Sequence, residues 1–330
     1  MLTPPGDISE DVLVAALHRA WGLTVASLTY RPVGWGSHHW EVVDTGGGRW
    51  FLSLDELEIK RHSRTESLDG AFGRLRAALD AARALRQQGT SIVVAPVSTS
   101  DNESLTRLSE RFSLALYPHV DGESFAWGDY SAPGHRAALL DLVVAVHAAP
   151  EAVRGHAMAD DFAVPHRDEL EAGLRSGDDV EDCGPYARPS ATLVAAHASP
   201  LRRLLGHYDD LVVAARAQPS RAVLTHGEPH SGNSMLTAEG WRLIDWETAL
   251  LAPPERDLWN LDPGDGSILR AYAEATGVTA LPRMLELYRI RWDITDLAVD
   301  VDRFRRPHSG NADDKQSWEL LNRLVAHLST

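Results

Sequence analysis

The chain has 330 residues, 44% hydrophobic and 24% charged, the make-up of an ordinary globular protein long enough for two lobes. Its 47 acidic against 32 basic side chains leave a net charge of -15, which repels phosphate backbones, argues against nucleic acid as a partner and favours cationic small molecules. Met1 to Asp7 lacks the basic start and apolar run of a signal peptide, the longest apolar run, Leu139 to Ala149, is interrupted by Asp141 and His147, and the single cysteine, Cys183, forms no internal disulfide. These features predict a cytoplasmic protein without a membrane partner, acting as a monomer or a dimer.

Residues 8–20 place Ile8, Val12, Ala15, Ala16 and Leu17 at helical spacing after a cap at Asp7, predicting a first helix. Leu28 to Val33 and Trp40 to Val43 read as short strands around Gly34-Trp35-Gly36-Ser37-His38-His39, and Trp50 to Leu54 as a third. From Leu68 to Gln88, Phe72, Leu75, Leu79, Ala82 and Leu85 recur on one face of a helix that Gly89 stops. Ile92 to Val97 and Phe112 to Leu116 are predicted as further strands, the latter ended by Pro118. A turn at Asp121-Gly122-Glu123-Ser124 and an apolar helix from Ala138 to Ala148 follow. Residues 150–220 carry helical patterns broken by Gly, Pro and acidic clusters such as Gly177-Asp178-Asp179 and Glu181-Asp182. A helix from Arg283 to Phe304 puts Leu287, Ile290, Ile294, Leu297 and Val301 on a core face, with Asp293, Asp296 and Asp300 on adjoining faces.

Between two apolar runs, Ala222-Val223-Leu224 and Trp241-Arg242-Leu243-Ile244, lies His226-Gly227-Glu228-Pro229-His230-Ser231-Gly232-Asn233, and Asp245-Trp246-Glu247 follows. This is the H-x-D-x-x-x-x-N spacing of phosphoryl-transfer enzymes, with Glu228 in place of Asp. One carboxylate takes the acceptor hydroxyl's proton, while the Asn and the downstream Asp hold magnesium on the phosphates. Gly227, Pro229 and Gly232 break any helix here, which removes the rival zinc-protease reading, since H-E-x-x-H requires an unbroken helix. The plain alternative is a polar turn in which Glu228, Asn233 and Asp245 cap backbone groups.

With Pro253-Pro254-Glu255-Arg256-Asp257-Leu258-Trp259 added, the pattern resembles the aminoglycoside phosphotransferase family, the small-molecule branch of the protein-kinase-like fold. The resemblance is specific from Thr225 to Trp259 and implies an α+β fold of two lobes. Residues 1–117 would form an antiparallel-sheet nucleotide lobe, and residues 118–330 a mainly helical catalytic and acceptor lobe. It implies Glu228 as base, Asn233 and Asp245 as Mg²⁺ ligands, and His226 as a brace aided by Asp257.

The same resemblance makes Gly34, Gly36 and Ser37 a phosphate loop for ATP or GTP, and Tyr117 the hinge whose backbone meets the base. It places a nucleotide-binding lysine at Ser53, where this chain has none. Lys60, Arg61 or Arg64 are the candidates to replace it, the alternative being that the phosphates go without, and Glu66 or Asp80 are the candidates to orient the replacement. His147 reads as a buried structural histidine. Glu247, Asp293, Asp296 and Asp300 are implied as binders of an amine-bearing acceptor, an aminoglycoside- or aminocyclitol-like antibiotic or related metabolite. The expected activity is transfer of a γ-phosphoryl group to a hydroxyl. Two alternatives are a pseudokinase that binds nucleotide or ligand without transfer, motivated by the absent lysine and altered base, and a metal-dependent hydrolase using the histidines.

Overall fold

The computed structural model describes residues 1–176 and 181–328, so the acidic run Gly177-Asp178-Asp179 lies outside the described residues. Helix α1 (Glu10–Trp21) ends where Gly22 turns left-handed at φ 67°. Its buried stripe is Leu13, Ala16 and Leu17, spaced i, i+3, i+4. Val12, expected on that face, is exposed, and the cap position is Ser9, while Asp7 pairs instead with Arg111.

Strands β1 (Val25–Arg31), β2 (Ser37–Asp44) and β3 (Arg49–Glu56) are followed by helix α2 (Leu68–Gln87) and strands β4 (Thr106–Arg107) and β5 (Phe112–Pro118). The five strands form one antiparallel sheet in the order β1-β2-β3-β5-β4. Side chains alternate across it. Trp40, Val42, Leu52, Leu54, Leu114 and Leu116 pack against α1, while Ser37, Ser53, Asp55 and Tyr117 occupy the opposite face, where Ser37 pairs with Asp55 and Phe51 with Tyr117. The Ser67 hydroxyl caps α2 by accepting the Gly70 N–H at 3.0 Å.

Residues Ile92 to Val97 do not form the expected strand. Their bonds go two ways: Leu243 exchanges bonds with Ile92 (2.7 Å) and Val94 (3.0 Å), whereas the Val97 N–H reaches Leu116 O at 2.7 Å. Pro96, lacking an N–H, stands where the segment changes partner.

The remaining chain is mainly helical: β6 (Glu123–Ser124), α3 (His135–His147), α4 (Glu151–Arg154), α5 (Arg167–Ser176), α6 (Ala187–Ala196), α7 (Ala198–Arg216), β7 (Val223–Thr225), a 3₁₀ turn Ser231–Asn233, β8 (Ser234–Thr237), β9 (Gly240–Leu243), β10 (Leu250–Ala252), α8 (Glu255–Leu258), α9 (Ser267–Thr276), α10 (Pro282–Phe304) and α11 (Ala312–Leu328). The turn expected at Asp121 to Ser124 supplies β6, which pairs with β8. Strand β8, absent from the sequence reading, closes a hairpin with β9, so the motif loop runs from β7 to β8 and Asp245 follows the hairpin.

Beyond the core under α1, a second core joins α2 to α3, β7, β9, Trp246 and α9, and a third joins α5, α7, α10 and α11. The second core matters most for function, because it ties α2 of the sheet lobe to both motif strands.

Candidate active site

The motif loop is fixed by groups that the apolar core buries with it. Asp257, in the four-residue helix α8, accepts the backbone N–H groups of His226 (2.8 Å) and Gly227 (2.6 Å). His147 bonds the same carboxylate through Nε2 at 3.2 Å and Tyr272 OH through Nδ1 at 2.9 Å. Burial alone would raise the Asp257 carboxyl, but His147 and the nearby Arg256 hold it below its usual range. Gly227 has φ 101°, and a Cβ there would stand 2.5 Å from the Arg256 guanidinium. That guanidinium donates to Thr225 Oγ1 (2.9 Å) and Thr248 O (2.7 Å), so it cannot retreat freely.

His226 is fully buried, and burial pushes its imidazole down to about 4. The neutral ring donates from Nε2 to Ile244 O at 2.9 Å and accepts the Glu228 N–H on Nδ1 at 3.3 Å. It therefore joins the two motifs. A backbone bond from Ile244 N–H to Asn233 O at 3.0 Å repeats the link. Asn233 Nδ2 donates to Glu228 O at 3.1 Å, which turns the amide oxygen the other way.

The Glu228 carboxylate is 3.8 Å from His230 Nε2; burial alone would raise it, but His230, with His226 and Arg256, holds it below the usual carboxylate range. Asp245 adopts φ 64°, a left-handed conformation uncommon for a side chain with a Cβ, and is exposed to the cleft. Its crowded surroundings, and next the Glu228 charge, push its carboxyl up to about 6.

Ser53, where the motif places a lysine, is a buried strand residue opposite His39 and Ala115. Lys60 reaches the site instead. A turn in which the Ile59 and Lys60 N–H groups both bond Glu56 O folds the chain back after β3. The ammonium lies 2.6 Å from both carboxylate oxygens of Glu247, 3.1 Å from Ser37 Oγ and 3.3 Å from Asp55. Burial opposes its charge, but Glu247 and Asp55 outweigh it and raise the ammonium above its ordinary value.

The other cations face elsewhere, Arg61 to Glu58 and Arg64 to Glu169. Neither expected orienting carboxylate faces the lysine: Glu66 takes Arg74 at 2.9 Å, and Asp80 accepts the Ser104 hydroxyl.

Gly34 and Gly36 are both left-handed, at φ 72° and 75°. Ser37 opens β2 and its hydroxyl is already engaged, donating to Asp55 at 2.6 Å. The Tyr117 backbone, expected to meet the base, is engaged in the sheet. His119 N–H to Arg49 O (3.1 Å) and Leu57 N–H to Arg111 O (2.8 Å) fix the parity of the β3–β5 ladder, and Tyr117, opposite Phe51, falls on the hydrogen-bonded pairs. The phenol is pushed well up by burial and by the carboxylates of Asp55, Glu247 and Asp245.

Residues 28–288 match the phosphotransferase enzyme family. The chain belongs to that family. Protein StrN of Streptomyces griseus is 30% identical over 295 residues, 86% of each protein. A spectinomycin phosphotransferase solved with ADP and spectinomycin has TM-score 0.71 at 16% identity over 98% of both chains. An amicoumacin kinase solved with AMP-PNP and Ca²⁺ has TM-score 0.62 at 14% identity over 98% of this chain and 93% of that one. The fold is thus the two-lobed, protein-kinase-like fold, and this phosphotransferase-family chain is a small-molecule kinase.

In this phosphotransferase, a cavity of about 200 Å³ opens beside Glu228, lined by Glu247, Arg256, Trp259, Trp292 and Asp296. A larger one, about 810 Å³, adjoins it through His62 and Arg74, which line both. Of the three α10 aspartates expected to meet the acceptor, Asp296 is the one on the cavity wall. Asp300 is buried against the Ser317 hydroxyl of α11, and Asp293 lies nearest His327 and Arg289. The four-residue step from Asp296 to Asp300 moves along α10 from the cleft to the α11 contact.

Glu247, expected to meet the acceptor, has both oxygens on Lys60. The sequence reading missed Asp55, Arg74, Arg256 and the Trp259–Trp292 wall. For Asp55 a signal existed, since it lies two residues beyond Ser53 on one face of a strand.

Proposed function

We propose that this enzyme transfers the γ-phosphoryl group of ATP or GTP to a hydroxyl of a cationic, aminocyclitol- or aminoglycoside-like antibiotic or related metabolite. The observation that carries the proposal is the convergence of Glu228, Asn233, Asp245 and Lys60 on one cleft, next to a cavity with an acidic and aromatic wall. Phosphoryl transfer requires positioning and charge neutralisation more than covalent chemistry from the protein, and these groups supply both.

Glu228 orients the acceptor hydroxyl and takes its proton as the oxygen attacks the γ-phosphorus; the bond to the β-phosphate oxygen breaks, and Lys60 stabilises the charge left on the departing diphosphate. Held below its usual range, Glu228 is ionised at neutral pH, as a proton acceptor must be. Glu is longer than Asp by one methylene, roughly 1.5 Å, and a misplacement of about 1 Å costs on the order of a hundredfold, so the loop must be built around the longer side chain. Asp296, when ionised, supplies the anion for an acceptor amine, and Trp259 and Trp292 the apolar faces of its cavity.

The residues fit Mg²⁺. Three carboxylates, Asp55, Asp245 and Glu247, share the field of one ammonium, and the Glu228 charge bears on Asp245. Asn233 Oδ1 and the exposed Asp245 carboxylate are the oxygen donors that would hold the ion. When bound, Mg²⁺ neutralises phosphate charge.

Binding without transfer was motivated by the missing lysine, and the place Lys60 takes supports transfer instead. The test is a panel of amine-bearing alcohols with MgATP or MgGTP, read by mass spectrometry. Gain of one phosphoryl group on an acceptor is expected; nucleotide binding without any such gain across the panel would favour the pseudokinase reading.

A further inference from the structure

The lysine that enters this site comes from a turn, not from a strand, and a lysine on a turn needs its own scaffold. Its ammonium has four oxygen neighbours: Glu247 Oε1 and Oε2 at 2.6 Å, Ser37 Oγ at 3.1 Å and Asp55 Oδ1 at 3.3 Å. Asp55 is itself fixed by the Ser37 hydroxyl at 2.6 Å, and its side chain is 3% exposed. The backbone of Lys60 is held from the opposite side, where Arg74 of α2 donates to Lys60 O at 2.7 Å and is pinned by both oxygens of Glu66 at 3.1 and 2.9 Å. A helix packed beside a lysine would ordinarily be expected to offer a carboxylate to the ammonium; α2 offers a guanidinium to the carbonyl.

We propose that Glu247, seconded by Asp55, is the residue that positions Lys60 for the nucleotide phosphates, and that Arg74 anchors the turn by its backbone. This rests on the reading of Lys60 as the phosphate-binding cation. Glu247 follows Asp245 by two residues on the same stretch, so the ion pair sets the sheet lobe against the motif lobe as well as aiming the ammonium. A bidentate contact from a carboxylate of fixed direction restricts a flexible four-carbon side chain to one arc. Glu247 is therefore a positioning residue, and its carboxylate acts on phosphoryl transfer through Lys60 and not through the acceptor.

The chain has two lysines, and Lys315 is exposed, so each can be followed separately by mass spectrometry. The experiment measures the rate of reductive methylation of Lys60 relative to Lys315, without nucleotide, in the wild type, Glu247→Gln and Glu247→Asp, each confirmed folded by its thermal transition. Lys60 should be protected in the wild type, react at least tenfold faster in Glu247→Gln, and be partly protected again in Glu247→Asp, which keeps the charge with shorter reach. Equal Lys60 reactivity in all three proteins would overturn the positioning role, whatever the enzyme's activity.

Kinetics supply the second arm. Glu247→Gln should raise nucleotide KM or lower kcat by about 10- to 100-fold with acceptor KM nearly unchanged, and should add little in a Lys60→Met background, because both changes remove one unit. An independent effect in that background, or a rise confined to acceptor KM, would overturn the proposal. Lys60→Met with wild-type nucleotide kinetics, alongside a protected Lys60, would instead overturn the phosphate role on which it rests.

Discussion

His226 Nε2 donates to the carbonyl of Ile244 at 2.9 Å, so the residue before the Asp245 carboxylate hangs from the histidine that opens the catalytic loop. Removing the ring leaves a part-buried carbonyl without its donor, which costs about 1 kcal/mol or more, and frees Asp245 to shift. His226→Ala should lower the urea midpoint by a corresponding amount and reduce kcat. His226→Gln, which can still donate to the carbonyl, should recover part of both. Equal stability of His226→Ala and wild type by denaturant titration would show that the bond does not brace the loop.

Gly227→Ala tests the loop from the steric side. The new methyl carbon would meet the Arg256 guanidinium at 2.5 Å in a backbone conformation that disfavours any Cβ. A loss of about 2 kcal/mol or more follows from strain and displacement of Arg256, and Gly227→Ala with the added change Arg256→Ala should be less destabilised than additivity allows. Additive effects in calorimetry would contradict the contact.

Much of this was legible in the sequence, for separable reasons. Strands β1, β2, β3 and β5 and helices α2 and α10 announced themselves by apolar periodicity, and the motif loop by glycine and proline punctuation around spaced polar groups; the two-residue β4 did not. The lysine's position required tertiary information: seven residues separate Ser53 from Lys60, and only the turn at Glu56 to Lys60 brings the ammonium back to Asp55 and Glu247. Asp293, Asp296 and Asp300 looked equivalent because helical spacing shows which faces differ but not what packs on each; α11 covers Asp300, whereas the cavity meets Asp296. Ile92 to Val97 misled because an apolar run flanked by polar residues reads alike whether it joins one ladder or bridges two.

Asp296 gives a pH prediction. Desolvation by the cavity walls, then the charges of Asp300, Glu228 and Asp293, push its carboxyl up to about 8. The group is protonated below that value and ionised above it, so affinity for a permanently cationic acceptor such as a quaternary amine should rise between pH 7 and 9. Asp296→Asn should flatten the profile and raise acceptor KM while leaving nucleotide KM unchanged. A profile of the same slope in Asp296→Asn would remove Asp296 from acceptor recognition.

For the base, Glu228→Gln preserves size and removes the proton acceptor, so kcat should fall by about 10² to 10⁴ with little change in either substrate's affinity. Glu228→Asp is the sharper probe. A loop fitted to the longer side chain should lose activity with Asp; equal or greater turnover would mean that the exchange has no mechanistic weight.

Asp245 is lifted into the cleft at a left-handed φ and tied through Ile244 to His226 and Asn233, and on the proposed function phosphoryl transfer depends on it. The most direct measurement is mass-spectrometric phosphate transfer by wild type and Asp245→Ala across a series of Mg²⁺ concentrations, with folding checked by circular dichroism. Wild type should transfer in a Mg²⁺-dependent manner, and Asp245→Ala should stay folded yet fall by about 10³ or more at every Mg²⁺ concentration. Near wild-type transfer by folded Asp245→Ala would contradict the account.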